Sequence, residues 1–150
     1  MSEIVIRSAL PAERSSLEAL QWRASLANSD YRDLLLANPD AIALPVEHIA
    51  DGHVFVAQRE GVIVGFAAVL TRPDGNAELD ALFVEPTLWK RGVGRLLVEH
   101  CADVARGRAS RIMHVVGNPH AEGFYAACGF RTTGAVETRF GAGLAMHRGL

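Results

Sequence analysis

The run Trp89-Lys90-Arg91-Gly92-Val93-Gly94-Arg95 carries the first chemical signal. Its glycines remove the Cβ atoms that would hold an anion away from the backbone. Lys90, Arg91 and Arg95 concentrate positive charge in a chain whose formal net charge is −2. At the start of a helix, unpaired N–H groups and a partial positive charge would make this a pyrophosphate seat. Gly-x-Gly alone is a weak motif, and the same glycines also serve tight strand-to-helix packing. The dinucleotide fingerprint fails, because its third glycine position is Leu97, and no P-loop run is present.

Asn118-Pro119-His120-Ala121-Glu122-Gly123-Phe124-Tyr125-Ala126-Ala127-Cys128-Gly129-Phe130 is the second signal. A tyrosine with a reference pKa of about 10 is protonated at neutral pH and can donate to a leaving group. The plainer reading makes Asn118 a helix cap and Tyr125 a helical aromatic. Glu78 and Asp80 share one strand parity, so their carboxylates point to one face. They read either as a base working through water or as polar groups on a solvated strand end. The six histidines show no His-x-x-x-His spacing, and no metal is expected. His120 reads as a solvent-facing group or as part of the acceptor side. Cys128, three residues after Tyr125, reads as a thiol beside the reacting group or, more plainly, as packing or a helix end. No Gly-x-Ser-x-Gly elbow supports a serine hydrolase.

These groups need elements to hold them. Ile4 to Ile6, His53 to Gln58, Val62 to Thr71, Glu78 to Val84 and Ile112 to Val116 read as strands. Two more are expected near Arg131 to Thr138 and Leu144 to Arg148, with Gly141-Ala142-Gly143 turning between them. Pro11 opens a first helix with Leu17, Leu20, Trp22 and Leu26 apolar. Asn28 to Leu44 is ambiguous, with Leu34-Leu35-Leu36 suggesting a second helix. Val93, Leu96, Leu97, His100, Cys101 and Val104 mark an amphipathic helix straight after the glycines. Asn118-Pro119 starts another, which ends at Gly129 with Phe130 folding back. The element order predicts an α/β mixed sheet with helices on its faces.

At 150 residues the chain has the size of one domain, expected over 1–150. Its composition is globular: 49% hydrophobic and 21% charged. A balance of 15 Lys+Arg against 17 Asp+Glu argues against nucleic acid or an anionic membrane as partner. No secretory h-region follows Met1, and the longest apolar run is too short to span a bilayer. Two cysteines, Cys101 and Cys128, make no disulfide framework. Together these predict a cytoplasmic protein.

The strand Glu78–Val84, then Pro86, then Arg91-Gly92-Val93-Gly94 and Leu96-Leu97 resembles the central CoA-binding motif of the GNAT superfamily of acetyl-CoA-dependent N-acetyltransferases. Asn118, Ala121, Phe124-Tyr125 and Gly129-Phe130 resemble its next motif, in the same order and separation. The resemblance implies a roughly seven-stranded, mostly antiparallel mixed sheet flanked by about four helices. It implies acetyl-CoA as cofactor and an amine as acceptor, and the family's habit also allows a homodimer. Backbone groups of Leu82, Phe83 and Val84 would pair with the pantetheine arm as an added strand would. Asn118 would meet the pantetheine, and Tyr125 would lie near the sulfur. Trp89 departs from the pattern, which has Arg or Gln there; Lys90, Arg91 or Arg95 would supply that charge, or Trp89 would pack on the loop or the cofactor.

The reaction so implied is direct acetyl transfer from the thioester to a primary amine in one ternary complex. Tyr125 would protonate the leaving thiolate. Glu78, fourteen residues before Gly92 where some protein acetylases of the family place a glutamate, would serve as base. Acceptor choice is expected in the first two helices, their loop and the last hairpin, with Trp22, Asp30, Tyr31, Asp33, Arg139 and Phe140. The rival reading is a CoA-binding sensor without turnover, which Trp89 favours and Tyr125 opposes. A different nucleotide-binding domain loses on its missing glycine.

Overall fold

The computed structural model describes residues 3–27, 29–139 and 141–150, and only the backbone of residues 29–31. Of the acceptor-side residues named above, Phe140 and the side chains of Asp30 and Tyr31 lie outside this description. The strands are β1 Ile4–Ser8, β2 Val54–Arg59, β3 Val62–Thr71, β4 Ala77–Val84, β5 Ile112–Gly117, β6 Arg131–Thr138 and β7 Gly141–Gly149. They form one mixed sheet in the order β1-β2-β3-β4-β5-β7-β6. The β4–β5 pair is parallel, whereas β1–β2, β2–β3, β5–β7 and β6–β7 are antiparallel. The helices are α1 Arg14–Leu26, α2 Ser29–Ala37, α3 Val46–Ala50, α4 Val93–Gly107 and α5 Glu122–Ala127. Short 3₁₀ turns at Pro11–Glu13, Pro86–Leu88 and Pro119–Ala121 each open on proline, whose fixed φ suits the first position of a helical turn.

Two readings change. Gly141, Ala142 and Gly143 are not a turn; they pair with Thr138, Glu137 and Val136 as the start of β7. A side chain at Gly143 would meet Thr138 Cγ2 at 3.0 Å and Val116 Cγ1 at 3.1 Å, so glycine here answers a crowded sheet. The short α3, entered from Pro45, was not expected, because five residues give too little periodicity to read.

The described residues group into two compact units. The first holds residues 1–68 and Ala81–Leu97. Its core packs Leu17 and Leu20 of α1 and Ile49 of α3 against Val54, Val56, Phe66 and Ala68, with Ala81 and Phe83 at its margin. Each of the buried Leu, Ile, Val and Phe side chains contributes about 1.5–3 kcal/mol of transfer free energy. The second unit holds Val69–Asp80 and Val98–Leu150. Met113, Val115 and Met146 are buried there, as are Val98, Cys101, Ala102 and Ala105 of α4. Arg148 of β7 makes a two-pronged ion pair with Glu99 of α4, at 2.7 and 3.1 Å.

Candidate active site

In the first unit, β4 runs into a loop that is tied at several points before α4 begins. The Glu85 N–H donates to the Val64 carbonyl at 2.8 Å. Arg23 of α1 grips the Glu85 carboxylate at 2.8 and 3.1 Å and holds it below the usual carboxylate range. The Trp89 indole N–H donates to the carbonyl of Val84, the last residue of β4, at 2.8 Å. Trp89, 45% exposed, therefore packs on its own loop. A neutral donor that closes this turn occupies the position where the resemblance led us to expect Arg or Gln.

The turn then passes through two left-handed residues, Lys90 at φ 64° and Gly92 at φ 88°. Such a conformation suits glycine and costs a lysine about 1–3 kcal/mol, a pattern that clusters at ligand sites. Gly92 accepts the first helical bond, from the Leu96 N–H at 3.1 Å. As a cap it has no side chain to occupy the unpaired N–H groups of the first turn of α4, which stay available to an anion. Gly65 of β3 lets the start of α4 sit close to the sheet. A Cβ there would lie 3.1 Å from the Phe83 carbonyl oxygen and 3.2 Å from Leu97 Cδ1. Lys90, Arg91 and Arg95 are all exposed around the turn. Leu82, Phe83 and Val84 are half-buried at the end of β4.

The second unit holds the other predicted residues. Asn118 caps its turn as expected, its Oδ1 accepting the His120 N–H at 2.8 Å. Tyr125 is only 8% exposed. Its ring meets Phe124 edge-on at 5.1 Å and Phe130 at 5.5 Å between centroids. Gly129, at φ 92°, ends the segment, and the Phe130 N–H returns to the Tyr125 carbonyl at 3.0 Å. Gly117 makes room for the ring: a Cβ there would lie 2.8 Å from Tyr125 Cε2 and 2.7 Å from Met146 Cε. Burial, reinforced by Cys128, pushes the Tyr125 phenol up to about 12, so it stays a proton donor throughout the working range. Cys128 is the buried cap residue after α5, in keeping with a helix-end role. Burial likewise pushes the Cys101 thiol up to about 12, which leaves it un-ionised and unreactive.

Glu78 is half-buried on β4 and lies in register with His114 of β5, while Asp80 is exposed. The β4–β5 ladder consists of only two register pairs, Ala77↔Met113 and Glu78↔His114. His114 in turn faces His147 of β7, with ring centroids 6.2 Å apart. Sequence reading passed over these two histidines, and over Gly65 and Gly117, because register and ring contacts have no linear signature. Among the described residues, no cluster of three or more His, Cys, Asp and Glu side chains is placed to hold a metal ion.

The sequence model of the acetyltransferase (GNAT) family matches residues 16–130. The chain belongs to the GNAT acetyltransferase family. The match runs through both compact units. Two curated relatives are peptidyl-lysine N-acetyltransferases YjaB. The one from Salmonella typhimurium is 39% identical over 59 residues, and the one from Escherichia coli 41% identical over 59 residues. Each match covers 39% of this chain and 39% of the relative's length. Among solved structures, a GCN5-related N-acetyltransferase from Rhodopseudomonas palustris superposes with a TM-score of 0.78 at 26% identity, covering 100% of this chain and 98% of that one. The PaiA N-acetyltransferase of Thermoplasma acidophilum, solved with coenzyme A, gives a TM-score of 0.77 at 16% identity over 99% of both chains, a likeness of fold.

Proposed function

We propose that this chain is an N-acetyltransferase that moves the acetyl group of acetyl-CoA directly to a primary amine, with a protein lysine as the acceptor class. The observation that carries the reading is a helix opening on a left-handed glycine with no side chain in its way, inside a GNAT-family chain. The lysine acceptor draws its support from the YjaB relatives, whose match covers the stated fraction of their length.

In this reading the N–H groups at Gly92, Val93, Gly94 and Arg95 receive the pyrophosphate, with Lys90 and Arg91 adding charge. The backbone of Leu82, Phe83 and Val84 pairs with the pantetheine, and Trp89 keeps the Val84 carbonyl engaged. Asn118, whose Oδ1 is committed to its cap, offers its amide NH₂ to the same arm. The first contribution to rate is proximity: an aligned amine and thioester can gain roughly 7–11 kcal/mol at best. Glu78 draws a proton from the acceptor ammonium through water, the freed amine attacks the thioester, and Tyr125 protonates the departing thiolate. Residues 1–150 act as a single catalytic domain in a reducing, cytoplasmic setting, singly or as a homodimer. Among the described residues, no helix is long and apolar enough to cross a membrane.

The test is a thermal shift with acetyl-CoA, with NAD and ATP as controls, followed by thiol release on lysine peptides and small amines. Ligand at about 100 times its Kd adds roughly 2.7 kcal/mol, a shift of several degrees. A rise with acetyl-CoA alone, followed by peptide-dependent thiol release, is the expected result. A rise without turnover on any amine would make the protein a CoA sensor. No rise at millimolar acetyl-CoA would end the acetyltransferase reading.

A further inference from the structure

Glu78, His114 and His147 stand in one row across three neighbouring strands of the second unit: Glu78 pairs in register with His114, and His114 with His147. Register partners share a face of the sheet, and neighbouring strands lie about 4.8 Å apart, so the row is continuous. Ala77, Met113 and Arg148 are the row on the opposite face. All three members of the polar row are half-buried, and the two imidazoles meet edge-on.

The chemistry of an amine acceptor gives such a row a task. A lysine ammonium has a reference pKa of about 10.4 and a carboxylic acid one of about 4.3, so a lone carboxylate is a poor resting place for that proton. An imidazole, at about 6.5, is far better matched near neutrality. We propose that His114 is a proton-relay residue acting through Glu78: the proton lost by the acceptor ammonium passes by way of water to the Glu78 carboxylate, then to a ring nitrogen of His114, and finally to bulk solvent. The amine N–H bond breaks, and its electron pair attacks the thioester carbon. The O–H bond formed on Glu78 breaks as the N–H bond on His114 forms, and the imidazolium releases that proton after the product leaves. His114 thus positions a proton sink; it does not touch the reacting atoms.

The surroundings keep this sink empty between turnovers. Burial holds His114 below the usual histidine value, and so does the Arg72 guanidinium from the hairpin between β3 and β4. His147 acts in the same direction, while Asp74 on that hairpin and Glu78 on β4 oppose them. Arg72 and Asp74 are themselves paired at 3.4 Å. Arg131 of β6, in register with His147, ends the row with a fixed positive charge. Neutral His114 is therefore the resting form at pH 7.

This inference rests on the acetyltransferase reading, and the experiment separates the two. The pH dependence of kcat/KM for a lysine peptide, at saturating acetyl-CoA, is measured for wild type, His114→Gln, Arg72→Gln and the Glu78→Gln/His114→Gln pair. Ring resonances of His114 are titrated by NMR in the free protein and in Glu78→Gln. Wild type should show an acid limb below pH 6.5. His114→Gln should lose that ionisation and at least about tenfold in rate at pH 7.5. Arg72→Gln, a change at a half-buried hairpin side chain paired with Asp74, should move the limb to higher pH even if His114→Gln folds poorly. The double variant should be no slower than Glu78→Gln alone, and the His114 titration should fall in Glu78→Gln. Peptide acetylation with an acid limb that is the same in all variants, or a His114 titration that ignores Glu78, would overturn the relay and leave the acetyltransferase standing. No thiol release by wild type would overturn the acetyltransferase reading and the relay with it.

Discussion

The turn before α4 in the first unit and the Tyr125 segment of the second differ in which part of the chain bears the chemistry proposed for them. In the turn it is main chain: open N–H groups, two left-handed residues and a carbonyl held by an indole. Around Tyr125 it is side chain: a ring enclosed by Phe124 and Phe130, with its hydroxyl kept protonated by burial. Backbone chemistry tolerates substitution wherever φ is preserved, which is consistent with Trp89 standing where the family resemblance led us to expect Arg or Gln. Enclosed side-chain chemistry tolerates neither loss of the group nor a change in its walls.

The sharpest way to break this contrast is Tyr125→Phe. It should lower kcat by about 10²–10⁴-fold with the Kd for acetyl-CoA within about twofold, read by thiol release and calorimetry. Equal turnover would remove Tyr125 from the acid step. Because the phenol titrates at about 12, wild type should show no alkaline loss from this group below pH 10. The proton is bound more tightly in the folded protein, so the phenol's stability contribution is intact below about pH 10 and is lost only as pH rises toward 12.

Gly117→Ala comes next. Its Cβ would press on Tyr125 and Met146, costing about 1–3 kcal/mol in a melt. Displacement of the ring by about 1 Å should lower kcat about 10²-fold. A variant with normal Tm and normal rate would mean that the wall has slack. Gly92→Val tests the other region. Nothing lies within 4 Å of its Cβ, so folding should survive; the cost falls on φ 88° and on the anion. A rise in Kd for acetyl-CoA of about 10–100-fold is expected, and an unchanged Kd would remove the pyrophosphate from this turn. Smallest is Trp89→Phe, which loses one hydrogen bond of about 0.5–1.5 kcal/mol and should raise KM for acetyl-CoA about 2–10-fold with kcat unchanged.

The same contrast explains what could be read in advance. The limits of β3 and β6 match the expected Val62–Thr71 and Arg131–Thr138, because turn residues bracket each run. The ends of the Tyr125 segment were legible because Asn118-Pro119 and Gly129-Phe130 are local signals with local causes. The run from Gly141 to Gly143 misled, since a glycine such as Gly143, demanded by a crowded sheet, looks the same in sequence as one demanded by a turn. Glu78 was legible as a candidate, but His114 and His147, thirty-three positions apart, become neighbours only through the register of β5 with β7. The indole bond of Trp89 was equally silent, because it depends on the path of a loop.

That bond has an optical consequence. The chain contains two tryptophans, Trp22 and Trp89. In a Trp22→Phe background all indole emission would come from the ring that closes the turn before α4. Its half-exposed face and its single N–H···O bond make the emission maximum and quantum yield sensitive to whatever settles beside it. The protein would then report occupancy of its own turn in a cuvette, without a label and without turnover.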